Sequence, residues 1–312
     1  MGAPGLVLNQ RKLNRLQMGE IPKGYFYGAV GMLGFSLTLP ATRVAVADID
    51  PVLVGLGRAL VAAALALIVL TLNRQPLPTR KQWWPLAVVA LGVVVGFPVL
   101  TSLAMQHVNA SHGAVVLGLL PIATACSGSL ISHERPSRMF WAAASLGTAI
   151  VVGFLLVQAH GIFTLYDLML FGGVIAAAIG YAMGAKLAKE MRSWQVISWA
   201  LVLAAPFVVV PVLIQFSTTG FNPGLLSLLG FLYVSSVSMF LAFIAWYAGL
   251  ALVGTAKIGL LQLLQPFLTI LASALLLGEH VSTSMVLVAL LVAVSVFAGQ
   301  RARFATAKHQ DA

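Results

Sequence analysis

Few side chains in this chain of 312 residues can do chemistry, and their types and spacing favour holding a molecule over breaking one. Asp and Glu together number 8, and none stands at the centre of a long apolar segment. An enzyme working at membrane depth needs paired carboxylates, a serine beside a base, or a metal cluster, so an intramembrane enzyme is the weaker reading. The stretch "HERPS" at 133–137 begins like a zinc-protease helix but has no second histidine at the fifth position, and the 6 histidines are scattered, so no metal site is expected. No glycine loop ends in Lys-Ser or Lys-Thr, and "GLGRAL" at 55–60 lacks the third glycine and the preceding strand of a dinucleotide site. No cofactor is expected, and ATP does not drive the protein directly.

What remains is a set of binding groups. Arg58, about two turns into an apolar segment, has a fork of donors suited to a carboxylate, or it holds the preceding loop through Asp48 or Asp50. His112 is a titrating group or a hydrogen-bonded interior histidine. Gln262 and Gln265 are three apart and so neighbours on one helix face; they are interhelical glue or, for Gln265 beside a proline, a cavity group. Tyr181, Trp199, Trp246 and Tyr247 lie within apolar segments and not only at their ends, as core packing or as walls for a flat ring. Lys257 is one turn inside its segment, where its stem can snorkel.

Positioning these groups takes elements, and composition says which. The chain is 60% hydrophobic and 8% charged, with a mean hydropathy of +0.98; soluble domains carry about 25% charged residues. Apolar segments recur at 24–46, 51–72, 84–105, 110–132, 138–158, 166–187, 195–215, 225–248, 254–277 and 281–299. Each can cross a hydrocarbon core of about 30 Å as a helix. Barrel strands would alternate polar and apolar, and these segments are apolar on every side, so the expected fold is an all-α membrane bundle of ten transmembrane helices.

The formal net charge is +10, and its placement is informative. With the N-terminus inside, Arg11, Lys12, Arg15, Lys23, Arg74, Arg80, Lys81, Arg135, Arg138, Lys186, Lys189, Arg192, Lys257, Arg301, Arg303 and Lys308 fall on the inner side. Only Arg43 and Arg58 fall on the other. That asymmetry fits the positive-inside rule with both termini cytoplasmic, and the basic excess reads as topology and anionic-lipid contact, with no nucleic-acid partner. "LNQRKLNRLQ" at 8–17 suits a short interfacial helix and lacks the apolar region and cleavage site of a signal peptide. The single cysteine, Cys126, excludes an intrachain disulfide.

A shift of 145 residues places Pro121 on Pro266, Thr124 on Thr269, Leu130 on Leu275 and Glu134 on Glu279. Each stretch lies in the fourth span of a five-span group, and Gly34 and Phe35 of the first span face Gly180 and Tyr181 of the sixth, one residue off that register. Five is odd, so the second group enters the membrane from the opposite side and the halves are expected to be inverted repeats, 24–158 and 159–299, flanked by basic segments 1–23 and 300–312. Pro121 and Pro266 each remove a backbone hydrogen bond that lipid does not replace, which makes both positions hinges or static packing kinks. Glu134 and Glu279 close their spans as interfacial caps or locks between repeats.

The ten spans, "GAVVLGLLPIATACSGSLISHERPS" at 113–137 and "VGTAKIGLLQLLQPFLTILASALLLGEHVS" at 253–282 resemble the drug/metabolite transporter superfamily, in particular its EamA-type repeat, and most of all the aromatic amino-acid exporters of the YddG type. The resemblance covers nearly the whole chain. It implies a multi-pass bacterial inner-membrane exporter with a central cavity, whose partners are a small-molecule substrate and the bilayer, with a monomer as the working unit. On that basis Arg58, His112, Tyr181, Trp199, Trp246 and Gln265 are the candidate substrate-binding residues and Pro121 and Pro266 the candidate hinges. A proton-coupled antiporter of broader specificity is the alternative. The first span has no acid and the sixth only Asp167 at its outer edge, so gradient-driven transport is expected ahead of coupling through His112.

Overall fold

A computed structural model describes residues 21–132, 138–158, 164–253 and 258–310, and among them there is no strand. The helices are α1 (21–45), α2 (Leu53–Leu72), α3 (Arg80–Met105), α4 (Ala110–Ile131), α5 (Arg138–Gln158), α6 (Leu165–Leu187), α7 (Ser193–Thr219), α8 (Leu225–Val253), α9 (Leu261–Leu277) and α10 (Thr283–Gln310). Six of them, α2, α3, α4, α6, α7 and α8, are long and apolar enough to cross a membrane. Shorter apolar stretches lie in α5, α9 and α10. Lys257, Glu134 and the stretch "LNQRKLNRLQ" lie outside the described residues.

Hydropathy locates the helix centres, and polar chemistry sets their ends. α3 begins at Arg80, four residues before its apolar run, because Thr79 and Gln82 form a reciprocal capping box. Thr164 and Asp167 do the same for α6. α9 stops at Gly278, whose φ of 63° is the left-handed conformation that ends helices. α10 continues through the basic tail to Gln310, since Arg301, Arg303 and Lys308 end the hydropathy without ending the helical hydrogen bonding.

The packing has an internal regularity. α1 lies on α8 and α3 on α6; α4 lies on α6 and α9 on α1; α2 meets α7, α4 meets α9, and α5 meets α10. Exchanging each helix for the one five places along maps this set onto itself. Small residues allow the closest of these approaches. A Cβ on Gly249 would stand 2.8 Å from the backbone nitrogen of Gly28, and one on Gly92 would stand 2.5 Å from the Ala176 carbonyl, so helix backbones touch at the small-xxx-small patterns of α1 and α3. Wider π-type turns occur at Ala90–Gly96 in α3 and Tyr233–Leu241 in α8, related by the same 145-residue shift, and at Leu53–Gly57 in α2.

Both prolines follow a break in regular helix. α4 loosens into a turn at Gly118 and Leu119 just before Pro121. A tight 3₁₀ turn, Leu260–Leu264, precedes Pro266. The two breaks meet, since a Cβ on Gly118 would lie 3.6 Å from Pro266 Cγ.

Candidate functional site

Five rings from three helices gather at the centre: Phe35 of α1, Tyr181 of α6, and Phe243, Trp246 and Tyr247 of α8. Phe35 and Tyr181, one residue off the 145-residue register, stack with centroids 6.0 Å apart and planes at 23°. Phe243 meets Phe35 edge-on at 4.8 Å, and Trp246 approaches Phe35 at 6.0 Å and Tyr181 at 5.9 Å. The Tyr247 hydroxyl donates to the Gly180 carbonyl at 3.3 Å. The rings pack against one another in offset and edge-on pairs.

Unpartnered polar groups lie on the same helices and their neighbours. The indole N–H of Trp246, 0% exposed, has no acceptor. Neither amide atom of Gln262 is bonded, nor is Gln265 Oε1, nor Thr124 Oγ1. Packing puts Trp246 and the start of α9 at similar depth along α1, where Gly31 meets Trp246 and Gly28 meets Ile258 and Leu261. Buried polar groups are nearly always bonded, and an orphan loses about 1–3 kcal/mol, so these atoms are costly where they stand. Gln262 thus makes no side-chain hydrogen bond to another helix.

Arg58 follows the π-type turn of α2 and is 1% exposed. Its Nε and Nη1 have no partner. Asp48 accepts from the Gly224 N–H at 3.0 Å and the Ser227 hydroxyl at 2.7 Å, while Asp50 accepts from the Val52 N–H at 2.8 Å and the Leu53 N–H at 3.3 Å. The loop-holding alternative for Arg58 is therefore absent. Trp199 is buried on α7, which packs on α2 and α8, outside the five-ring cluster.

His112 lies apart from the rings, at the start of α4. Its Nε2 is 2.7 Å from Asp167 Oδ1, and Asp167 also accepts from the Thr164 N–H and hydroxyl. Glu279 grips the same turn of α4, accepting from the Ala110 and Ser111 N–H groups at 2.9 Å each and from the Ser111 hydroxyl at 2.7 Å. Asp48 ties the start of α8 to the loop after α1, and hydrogen bonds from Ser227 and Gly224 hold its carboxyl below the usual carboxylate range. Nearby, Arg43, Val46, Ala47, Gln106 and His107 line a cavity of about 410 Å³. Among the described residues, no three of His, Cys, Asp and Glu come together as metal ligands would.

The structure thus brings Tyr181 and Trp246 into contact, puts Gln265 on α9, which packs on α1 and α4, and leaves Arg58, Trp199 and His112 at separate places. Sequence reasoning missed Phe35 and Phe243 as ring partners and Asp167 as the partner of His112. The match of Phe35 with Tyr181, within one residue of register, was the available signal for the first.

A helical bundle of apolar membrane-length helices, packed in two matching sets around a buried polar and aromatic centre, is the build of a multi-pass membrane transporter. The chain belongs to the EamA-like transporter family, which matches it twice, over residues 22–156 and 164–298. It is 43% identical over 285 residues to the "Uncharacterized transporter YdeK" of Bacillus subtilis (strain 168), covering 91% of this chain and 99% of that one. A solved structure titled "Crystal structure of protein" superposes with a TM-score of 0.59 at 16% identity, over 93% of this chain and 99% of the other, a likeness of fold alone. The protein is a transporter and not an enzyme.

Proposed function

We propose that this transporter exports small amphipathic metabolites, aromatic amino acids foremost, across the bacterial inner membrane. The observation that carries the reading is the ring cluster of Phe35, Tyr181, Phe243 and Trp246 with the unbonded Trp246 N–H, together with the unbonded amide of Gln262 and Gln265 Oε1 on α9, which packs on α1. Flat apolar surface with a few unsatisfied polar groups suits a molecule that is itself a ring with a polar end. Tyr181 and Trp246 act as walls, with Trp199 contributing from α7; Gln265 bonds the polar end and Arg58 receives the carboxylate. Residues 24–158 and 159–299 act as inverted halves with both termini cytoplasmic, rocking about Pro121 and Pro266 so that substrate moves down its own gradient. The match of packing pairs between the halves supports this.

The test is saturable flux of radiolabelled phenylalanine in proteoliposomes, competed by unlabelled tryptophan. Tyr181→Ala and Trp246→Ala are expected to raise KM several-fold. Unchanged kinetics in both variants, with normal insertion, would sink the aromatic-wall reading. The proton-coupled alternative rests on the His112–Asp167 pair, and flux with and without an imposed pH gradient separates the two modes.

A further inference from the structure

The cavity of about 410 Å³ between the end of α1 and the end of α3 plays no part in the reading above. We propose that it is a docking site for the carboxylate of a small organic acid, a staging point between solvent and Arg58. Three donor-bearing side chains line it, from Arg43, Gln106 and His107, with Val46 and Ala47 as an apolar edge and no acid. The donors are held in place: Arg43 Nη1 donates to the Met105 carbonyl, and the His107 ring stacks on Tyr166 with centroids 4.1 Å apart. Both acids of the adjoining loop are engaged elsewhere, Asp48 on Gly224 and Ser227 and Asp50 on the first amides of α2. Among the described residues no carboxylate pairs with Arg43. A guanidinium fixed at one corner of a cavity with its other donors free is suited to a carboxylate.

Charge placement gives an independent reason. Of 18 basic residues only Arg43 and Arg58 fall on the side that the positive-inside pattern clears. One lines this cavity and the other is buried on α2, with Nε and Nη1 unbonded. On a side otherwise cleared of basic residues, these two offer a carboxylate two forks of donors. The proposal rests on the reading of the substrate as a carboxylate-bearing metabolite.

The full chain with Cys126→Ser and Ala47→Cys, in proteoliposomes, is treated with a membrane-impermeant maleimide, alone or with benzoate or its neutral analogue benzamide. Benzoate is expected to slow labelling several-fold, benzamide to leave the rate unchanged, and Arg43→Gln to abolish the protection. Arg43→Lys, which keeps the charge and loses the fork, should protect weakly and serves if the glutamine variant does not insert. An equal rate with and without benzoate, or equal protection by benzamide, overturns the site. Absence of phenylalanine flux alongside benzoate protection would count against the exporter reading and leave this site standing.

Discussion

Gln262 is buried with neither amide atom bonded, a position that stability alone would not favour. Gln262→Leu removes an orphaned amide worth about 1–3 kcal/mol of desolvation and is expected to keep or raise the melting temperature while raising KM for the transported amino acid. A lower melting temperature with unchanged KM would instead make the amide a structural bridge. Asp48 is the opposite case, an exposed carboxylate in the loop after α1 whose Oδ2 accepts two hydrogen bonds from the start of α8. Its pKa lies below the ordinary 3.8, so its contribution to stability is present above that value and is lost as pH falls through the lowered one. Asp48→Asn is therefore expected to melt lower than the parent at pH 7 and together with it at pH 2. A constant difference across that range would show that the charge is irrelevant.

α4 is held at its start and broken in its middle, and the two features divide its work. Glu279, from beyond α9, satisfies two of the four amides that every helix leaves open at its N-terminus, while Asp167 of α6 holds the next residue, His112. Glu279→Ala leaves the Ala110 and Ser111 N–H groups unbonded, and spin labels at Asn109 and Ser282 should report a longer, broader distance. An unchanged distribution would mean that the grip is incidental. At the breaks, Pro121→Ala and Pro266→Ala restore a backbone donor, so the double variant is expected to melt no lower than the parent and to turn over several-fold more slowly. Retained turnover would make the kinks static. The sequence marks Glu279 as a cap or a lock between repeats, but not which helix it holds, because Glu279 lies 169 residues from Ala110 and hydropathy does not register the partner of a distant carboxylate. Helix centres were legible, since lipid demands apolar runs with internal hydrogen bonding. Their ends were not, because Thr79, Thr164 and Gly278 act through local hydrogen bonds and φ that no hydropathy window sees.

For the molecule as a whole, the orientation proposed above places the loop between α7 and α8 outside. With Cys126→Ser as background, Asn222→Cys is expected to react with an impermeant maleimide added to intact cells, and labelling only after the cytoplasm is opened would reverse the topology. The halves were legible because Pro121 and Pro266 recur in register, whereas the ring cluster was half hidden: Tyr181 and Trp246 are conspicuous at membrane depth, but Phe35 and Phe243 are two among 16 phenylalanines. Which phenylalanine meets which tyrosine is set by helix packing, and that depends on where glycines let backbones touch. Along α1, Gly24, Gly31 and Gly34 face α8, which answers with Gly249. Interlocked leucines must climb over one another for two helices to shift, and such surfaces stick in discrete registers. At Gly31 and Gly249 a Cβ would stand within 3.0 Å of the facing backbone, so α1 and α8 sit closer together than interlocked side chains would allow, and any residue larger than glycine at either position must push the two helices apart.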